Sequence, residues 1–263
     1  MSKITLKEVV FSEKAKHISE EAKRISPQSF RETDLYPPVK RYLEYQGYTV
    51  RGEVRDCDVV ACKADHVIVV ELKRALTTLL LIQAVDRQSV ADAVYVAVPR
   101  PIRANDTHWR GIRRLLQRLE LGLLFVSEKS GDHAVILVQQ PVAPASRAAG
   151  KKAKRARTAL LEEFHGRSSD HNSGGSSGRP LVTAYRERAV RIARVLRQHG
   201  PQSTRQLRAA FGTGKQTTSI LYRNVYDWFA PVARGVYGLT DKGRADLEQF
   251  HFITDGRTSD PSG

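Results

Sequence analysis

The pattern of apolar and polar positions along the chain predicts an α/β domain followed by a smaller, mostly helical one. Thr33 or Asp34 is expected to cap the first helix, and Gly47 to end it. Pro37 and Pro38 suit its first turn, where a missing N–H costs nothing. Strands are predicted at 48–54, 58–63, 67–73, 93–98, 123–126 and 134–138, and further helices at 77–88 and 109–119. This αβββαβ order, continued by αββ, indicates a mixed sheet covered by helices.

The second region has shorter helical patterns. Ser203 and Gln206 have the spacing of a capping box, and a short hairpin is predicted to turn at Arg234 and Gly235. The segment before this region is first basic and then rich in Ser and Gly, which is typical of a flexible linker. The predicted organisation is a polar leader at 1–31, the α/β domain at 32–140, a linker at 141–179, the small domain at 180–250 and a tail at 251–263.

Composition and charge narrow the classes of function. The formal net charge is +15, and a field of that sign recruits polyanions such as nucleic acid. Two cysteines, Cys57 and Cys62, cannot build a disulfide framework or a four-thiolate zinc site. The longest apolar run, near 79–82, is far shorter than a membrane span, and no signal peptide is visible. We therefore expect no membrane partner and a cytoplasmic location, and the sequence allows a homodimer.

Three charged residues at strand ends form the candidate chemistry. Glu71 and Lys73 share one face of their strand because side chains alternate. A two-residue loop near Ala64 and Asp65 would set Asp58 beside Glu71, and the same loop one position later would set it opposite Lys73 on the same face. A loop of odd length would move Asp58 to the other face. Two carboxylates supply hard oxygen ligands for Mg²⁺, and an ammonium can orient a water or meet developing charge. The alternative is a surface charge network at a strand end.

The order of elements and several short segments carry a resemblance to a known family. An Asp that opens the second strand, and Glu-x-Lys at the end of an apolar third strand, resemble the PD-(D/E)XK phosphodiesterase superfamily, which includes restriction endonucleases. A bacterial branch with a C-terminal winged-helix domain is more similar still. The segments that resemble this branch are 34–40, 52–54, 57–61, 70–73 and 83–88.

The resemblance implies roles for individual residues. Asp58, Glu71 and the carbonyl of Leu72 would be ligands of Mg²⁺ or Mn²⁺, and Lys73 would be the catalytic lysine. Gln83 falls on the next helix, where some branches carry a Gln that touches the site. Many branches add a Glu on the first helix. The candidates here are Glu32, Glu44 and Glu53, of which Glu53 is preferred as the nearest in sequence to Asp58.

The sequence thus predicts a metal-dependent nuclease that hydrolyses phosphodiester bonds, in DNA rather than RNA. The alternative is a nucleic-acid-binding protein whose nuclease-like fold is catalytically idle, and RNA processing is a further rival. A winged helix would read the major groove with the polar start of its second helix. The residues expected to contact nucleic acid are Lys151, Lys152, Lys154 and Arg155 in the basic tract, and Lys215, Gln216, Thr217, Thr218, Arg223 and Arg234 in the small domain.

Overall fold

A computed structural model of the chain describes residues 31–253, apart from 103, 105, 130–131, 143–149, 169 and 176–180. The predicted leader before Arg31 and the tail beyond Ile253 lie outside these residues. The described residues form two compact units, one within Met1–Phe164 and Asn172–Leu181, the other within His165–His171 and Val182–Gly263. In the described part of the chain, no helix is long and apolar enough to cross a membrane.

The first unit is built on one six-stranded sheet in the order β1-β2-β3-β4-β5-β6. Strands β3, β4 and β5 are parallel, and the other neighbours are antiparallel. The observed αβββαβ start and the mixed sheet confirm the predicted α/β fold. The elements are α1 (Glu32–Tyr45), β1 (Thr49–Val54), β2 (Cys57–Lys63), β3 (His66–Leu72), α2 (Thr78–Arg87), β4 (Ala93–Pro99), α3 (Thr107–Arg118), β5 (Gly122–Lys129), β6 (Asp132–Gln139) and α4 (Lys151–Gly166).

Helices cover both faces of the sheet because side chains alternate along each strand. Val59 and Val70 pack in a core cluster with α1, whereas Val60 and Val69 pack in a second cluster with α2, α3 and α4. The parallel strands β3 and β4 end at the same edge of the sheet. The loop after β4 therefore starts α3 at that edge, and α2 begins there as well.

The first helix begins earlier than predicted. Arg31 is its N-cap, and Asp34 lies in the first turn, where its carboxylate accepts a hydrogen bond from the Arg31 N–H at 2.8 Å. Pro37 and Pro38 consequently lie inside the helix rather than in its first turn. Asp34 is thus the third helical residue of a capping box. The sequence alone predicts this residue, or Thr33, as the N-cap.

The basic part of the predicted linker is a helix. Lys151, Lys152, Lys154 and Arg155 occupy the exposed first turns of α4, while Leu160 and Phe164 are buried in the sheet core. The apolar positions recur four residues apart, which buries one face of a helix. Arg157 fastens α4 to the strand ends, donating to the carbonyl of Val90 and to the carboxylate of Asp92.

The second unit combines short helices with a small antiparallel sheet in the order β7-β9-β8. The predicted capping box of Ser203 and Gln206 is confirmed, and its hairpin turns at Arg234 and Gly235. The description of this unit as a winged helix stays a prediction. Its elements are α5 (Ala184–His199), β7 (Gln202–Ser203), α6 (Thr204–Ala209), α7 (Thr217–Arg223), β8 (Phe229–Ala233), β9 (Val236–Leu239), α8 (Asp241–Leu247) and a 3-10 turn (Glu248–Phe250).

Candidate active site

The hairpin of β2 and β3 places two carboxyl groups side by side. Lys63 pairs with His66, so the turn has two residues, as predicted, and Ala64 adopts the positive φ of 49° that such a turn requires. Val59 pairs with Val70. The next residues outward are Asp58 and Glu71, which lie on the sheet face that carries α2 and α3.

Asp58 and Glu71 form a close pair of carboxyl groups in which Glu71 is buried and Asp58 is half-buried. Burial, and after it the neighbouring Asp58 charge, raise the pKa of Glu71 to about 7, although Arg87 favours the ionised form. Burial also raises the pKa of Asp58, although the Leu72 N–H, which donates to its Oδ2 at 2.8 Å, favours the ionised form. Glu71 is only 1% exposed. Because each carboxyl group affects the ionisation of the other, the pair titrates as a unit, and a bound cation would favour the ionised form of both.

Glu32 joins this pair through Lys73. The Lys73 ammonium lies 3.0 Å from Oε2 of Glu32, the first residue of α1, and both charges act on Asp58. Glu44 lies at the other end of α1, where it pairs with Lys40 at 3.8 Å. Glu53, the residue preferred from the sequence, occupies a left-handed backbone position in β1 with φ 50°. Glu32 is thus the candidate that contacts Lys73, and the choice of Glu53 from the sequence stays a prediction.

Arg87 is a site residue that sequence reasoning missed. Its Nε donates to Oε1 of Glu71 at 2.8 Å, and its Nη2 donates to the carbonyl of Asp56. The guanidinium therefore neutralises the buried carboxyl pair from the side of α2. Gln83 lies one turn earlier on the same helix and is half-buried. The sequence did contain a signal for Arg87: it follows Gln83 by four positions, which places both side chains on one face of the helix.

A glycine segment packs against the backbone of the site. A Cβ on Gly174 would come within 2.5 Å of the Asp58 carbonyl oxygen and 2.8 Å of the Tyr36 ring. A Cβ on Gly52 would lie 2.4 Å from the carbonyl oxygen of Asn172. Both positions therefore require glycine because two stretches of backbone meet there. At 172–175 the chain is thus a packed part of the first unit, where the sequence predicts a linker.

Comparison with known families bears on this arrangement. Residues 124–246 match the model of a family described as "Putative PD-(D/E)XK phosphodiesterase (DUF2161)". This match confirms the resemblance to PD-(D/E)XK phosphodiesterases, while the bacterial branch and the winged helix stay predictions. It begins in β5 and ends in α8, so Asp58, Glu71 and Lys73 lie before the matched residues. No curated protein and no solved structure matches the chain.

Most of the residues expected to contact nucleic acid lie on the surface. The four in α4 are exposed, as are Lys215, Gln216, Thr218, Arg223 and Arg234 in the second unit. Thr217 differs: it is fully buried, and its hydroxyl lies 2.6 Å from that of Thr213 and donates to the carbonyl of Gly214 at 2.7 Å. Thr217 therefore fixes the start of α7 from inside and is removed from the contact surface.

The charged groups at the site are already paired with one another. Within the described residues, no group of three or more His, Cys, Asp or Glu side chains is spaced to hold a metal ion. Lys73 forms an ion pair with Glu32, and Arg87 forms an ion pair with Glu71. The donor set nevertheless has the chemistry of a hard-cation site, because two carboxyl groups lie side by side there and supply anionic oxygen ligands.

Proposed function

We propose that the protein is a divalent-metal-dependent phosphodiesterase of the PD-(D/E)XK type that hydrolyses nucleic acid, DNA rather than RNA. One observation carries the proposal: the carboxyl groups of half-buried Asp58 and buried Glu71 lie side by side at the ends of two paired strands, with Lys73 two residues further on. Burying two carboxyls together opposes their ionisation, and a cation offsets that cost. A purely structural pair would be replaced by apolar residues at little loss.

Asp58 and Glu71 would hold Mg²⁺ or Mn²⁺, and the carbonyl of Leu72 is the proposed third oxygen ligand. When bound, such a cation neutralises phosphate charge and acidifies a water molecule. Glu32 replaces Glu53 as the additional carboxylate in this proposal, since it already contacts Lys73. The Leu72 N–H holds one oxygen of Asp58 in place, so the carboxylate is oriented before a ligand arrives.

Lys73 is the proposed catalytic lysine. Its side chain is 29% exposed, so the ammonium can reach a phosphate while Glu32 fixes its direction. It would orient the attacking water or donate to a phosphate oxygen as negative charge develops. Gln83 and Arg87 lie on one face of α2, from which we propose that Gln83 contacts the substrate and Arg87 positions Glu71.

Nucleic acid is the proposed substrate because of charge and its distribution. The net charge of +15 favours a polyanion, and Lys151, Lys152, Lys154 and Arg155 form an exposed basic surface on α4. In the second unit, we propose a winged helix in which Lys215, Gln216, Thr218 and Arg223 on or beside α7, and Arg234 at the hairpin tip, contact DNA. An idle, purely binding protein is the competing function.

The decisive experiment combines metal binding with cleavage. Asp58→Asn and Glu71→Gln should each abolish Mg²⁺-dependent cleavage of DNA and weaken Mg²⁺ binding in calorimetry, because each removes an anionic ligand. Asp65→Asn, at the exposed turn of the same hairpin, is the matched control and should change neither. Undiminished Mg²⁺ binding in the Asp58→Asn/Glu71→Gln double variant would refute the proposed ligands.

Lys73→Ala separates the two functions. A nuclease should lose cleavage with unchanged DNA affinity, whereas an idle binder has no cleavage to lose. The assay should compare single-stranded, duplex and branched DNA with RNA, each with Mg²⁺, Mn²⁺ or EDTA. Cleavage of RNA alone would overturn the preference for DNA.

A further inference from the structure

Helix α3 has its buried and partly buried apolar residues on one face and three exposed arginines on the other, although Leu115 is 44% exposed. Trp109, Ile112 and Leu116 pack into the sheet core. The opposite face carries Arg110, Arg114 and Arg118, which are spaced four residues apart and exposed. No acidic residue lies within the helix, Thr107–Arg118. The outer face is therefore a row of guanidinium groups.

These arginines lack acidic partners in the part of the chain that the structure describes. Arg110 donates to the neutral Thr107 hydroxyl at 3.0 Å, and Arg114 and Arg118 make no hydrogen bond or ion pair there. On α1, by contrast, Lys40 forms an ion pair with Glu44. Like charges four residues apart destabilise a helix. The row of arginines therefore lowers the stability of α3. An anionic partner that binds these side chains would offset this repulsion.

We propose that the outer face of α3 is a binding surface for the phosphate backbone of duplex DNA, with Arg110, Arg114 and Arg118 as its contacts. Guanidinium groups suit phosphate because they donate two parallel hydrogen bonds to it. Eight residues of helix separate Arg110 from Arg118, a rise of about 12 Å, which is about the width of a major groove. The three groups can thus contact phosphates on both sides of the groove.

The position of α3 supports DNA over other anionic partners. The helix starts at the sheet edge where β3 and β4 end, and it lies on the face that carries Asp58 and Glu71. A backbone held along α3 therefore approaches the proposed site, and the choice of partner rests on the proposed function. An anionic membrane fits less well, since the apolar face that would enter lipid is packed on the sheet.

The test is the salt dependence of DNA binding by the full-length protein. Arg110→Gln/Arg114→Gln/Arg118→Gln keeps helix propensity because Gln and Arg are similar formers. The slope of log K against log salt should fall by about 2.7 for three lost phosphate contacts. Between 50 and 200 mM salt, the affinity of the variant for a short mixed-sequence duplex should then fall about 40-fold less than that of the wild type.

A matched control removes the same number of charges elsewhere. Arg197, Lys242 and Arg244 each face an acidic residue, so their triple Gln variant changes net charge equally without emptying the α3 surface. Its slope should stay near that of the wild type. Equal losses in both variants would reduce the effect to net charge and overturn the inference, as would an unchanged slope in the α3 variant.

Two further measurements complete the test. The α3 variant should unfold at the same or a higher urea concentration than the wild type, because like-charge repulsion is relieved, so reduced binding cannot be ascribed to unfolding. If the variant instead loses affinity for phosphatidylserine vesicles or polyglutamate and not for DNA, the partner is wrong.

Cleavage of bis-p-nitrophenyl phosphate, which is too small to span α3, separates this inference from the proposed function. A wild-type protein that binds DNA through α3 but never cleaves this ester or DNA refutes the function alone. Normal cleavage with unchanged DNA binding by the variant refutes the inference alone.

Discussion

Glu71 combines deep burial with two charged neighbours. Its carboxyl group contacts Asp58 on one side and Arg87 on the other, so its protonation depends on both. A proton or a cation can satisfy the pair, and both compete for the same oxygens. The behaviour of this residue with pH therefore reports on the site even without substrate.

Stability should fall with rising pH because of Glu71. Its pKa is about 7 in the folded protein against an ordinary 4.5, so its contribution to stability is full below about pH 4.5 and is lost as pH rises through 7. The limiting slope is about 1.4 kcal/mol per pH unit for one proton. Urea unfolding of wild type and Glu71→Gln in EDTA, from pH 5 to pH 8, measures the difference. A wild type that gains stability relative to Glu71→Gln over this range would contradict the raised pKa.

The ion pair of Arg87 with Glu71 should contribute far more to the free energy of unfolding than an ion pair between exposed residues. Its side chain is 19% exposed and that of Glu71 only 2%, so Arg87→Gln at pH 8 leaves a buried charge without its cation and should cost about 3–5 kcal/mol. Arg197→Gln is the control, since Arg197 and Glu248 are exposed and such pairs contribute about 0–1 kcal/mol. Urea unfolding at pH 8 checks both. Equal, small effects would mean that Glu71 does not rely on Arg87.

The site could be predicted from sequence only where local rules fix it. Strand alternation and a two-residue turn suffice to bring Asp58 beside Glu71, because both lie in one hairpin. Glu32 and Arg87 come from helices whose packing angle decides what their side chains reach, and spacing along the chain does not encode that angle. Nearness in sequence accordingly favoured Glu53, whereas the partner of Lys73 is Glu32.

At the scale of elements, α4 is the main departure from the sequence prediction. Basic residues dominate its first turns, and only two apolar positions, Leu160 and Phe164, are fully buried. A linker was predicted because the basic composition of this segment outweighs its two buried apolar residues. The strands were predicted to within a few residues because their β-branched runs are buried on both faces, a pattern that needs no tertiary information.

Phe164→Ala tests whether α4 belongs to the first unit. Phe164 is 1% exposed in the sheet core, so its truncation should destabilise that unit by about 3–5 kcal/mol. Thr158→Ala, exposed on the same helix, should change stability by less than about 0.5 kcal/mol. Hydrogen exchange of the β4 amides measures both. Two equally silent variants would restore the linker interpretation.

At the scale of the whole molecule, the first unit is discontinuous in sequence. It resumes at Asn172 after a short stretch that belongs to the second unit. A tethered binding site raises local substrate concentration without changing the chemistry. The second unit should therefore contribute affinity, while 172–175 contributes to the site itself.

Two truncations distinguish these contributions. A chain ending at Leu181 should keep maximal Mg²⁺-dependent cleavage and lose DNA affinity, because it lacks α7 and the Arg234 hairpin. A chain ending at Gly166 should also lose maximal rate, because Gly174 no longer packs on Asp58. Cleavage rate against DNA concentration, with circular dichroism to verify folding, measures both effects. Unchanged affinity on ending at Leu181 would indicate that the second unit contacts protein instead.

The close approach of Gly174 to Asp58 also affects when the site is completed during synthesis. The ribosome releases β2 long before Gly174, which follows Asp58 by about 115 residues. At roughly 5–20 residues per second, the interval is on the order of 6 to 23 s. A nascent chain can therefore form its sheet while one wall of the site is still missing, and the proposed nucleolytic capacity would arise only after Gly174 has been synthesised.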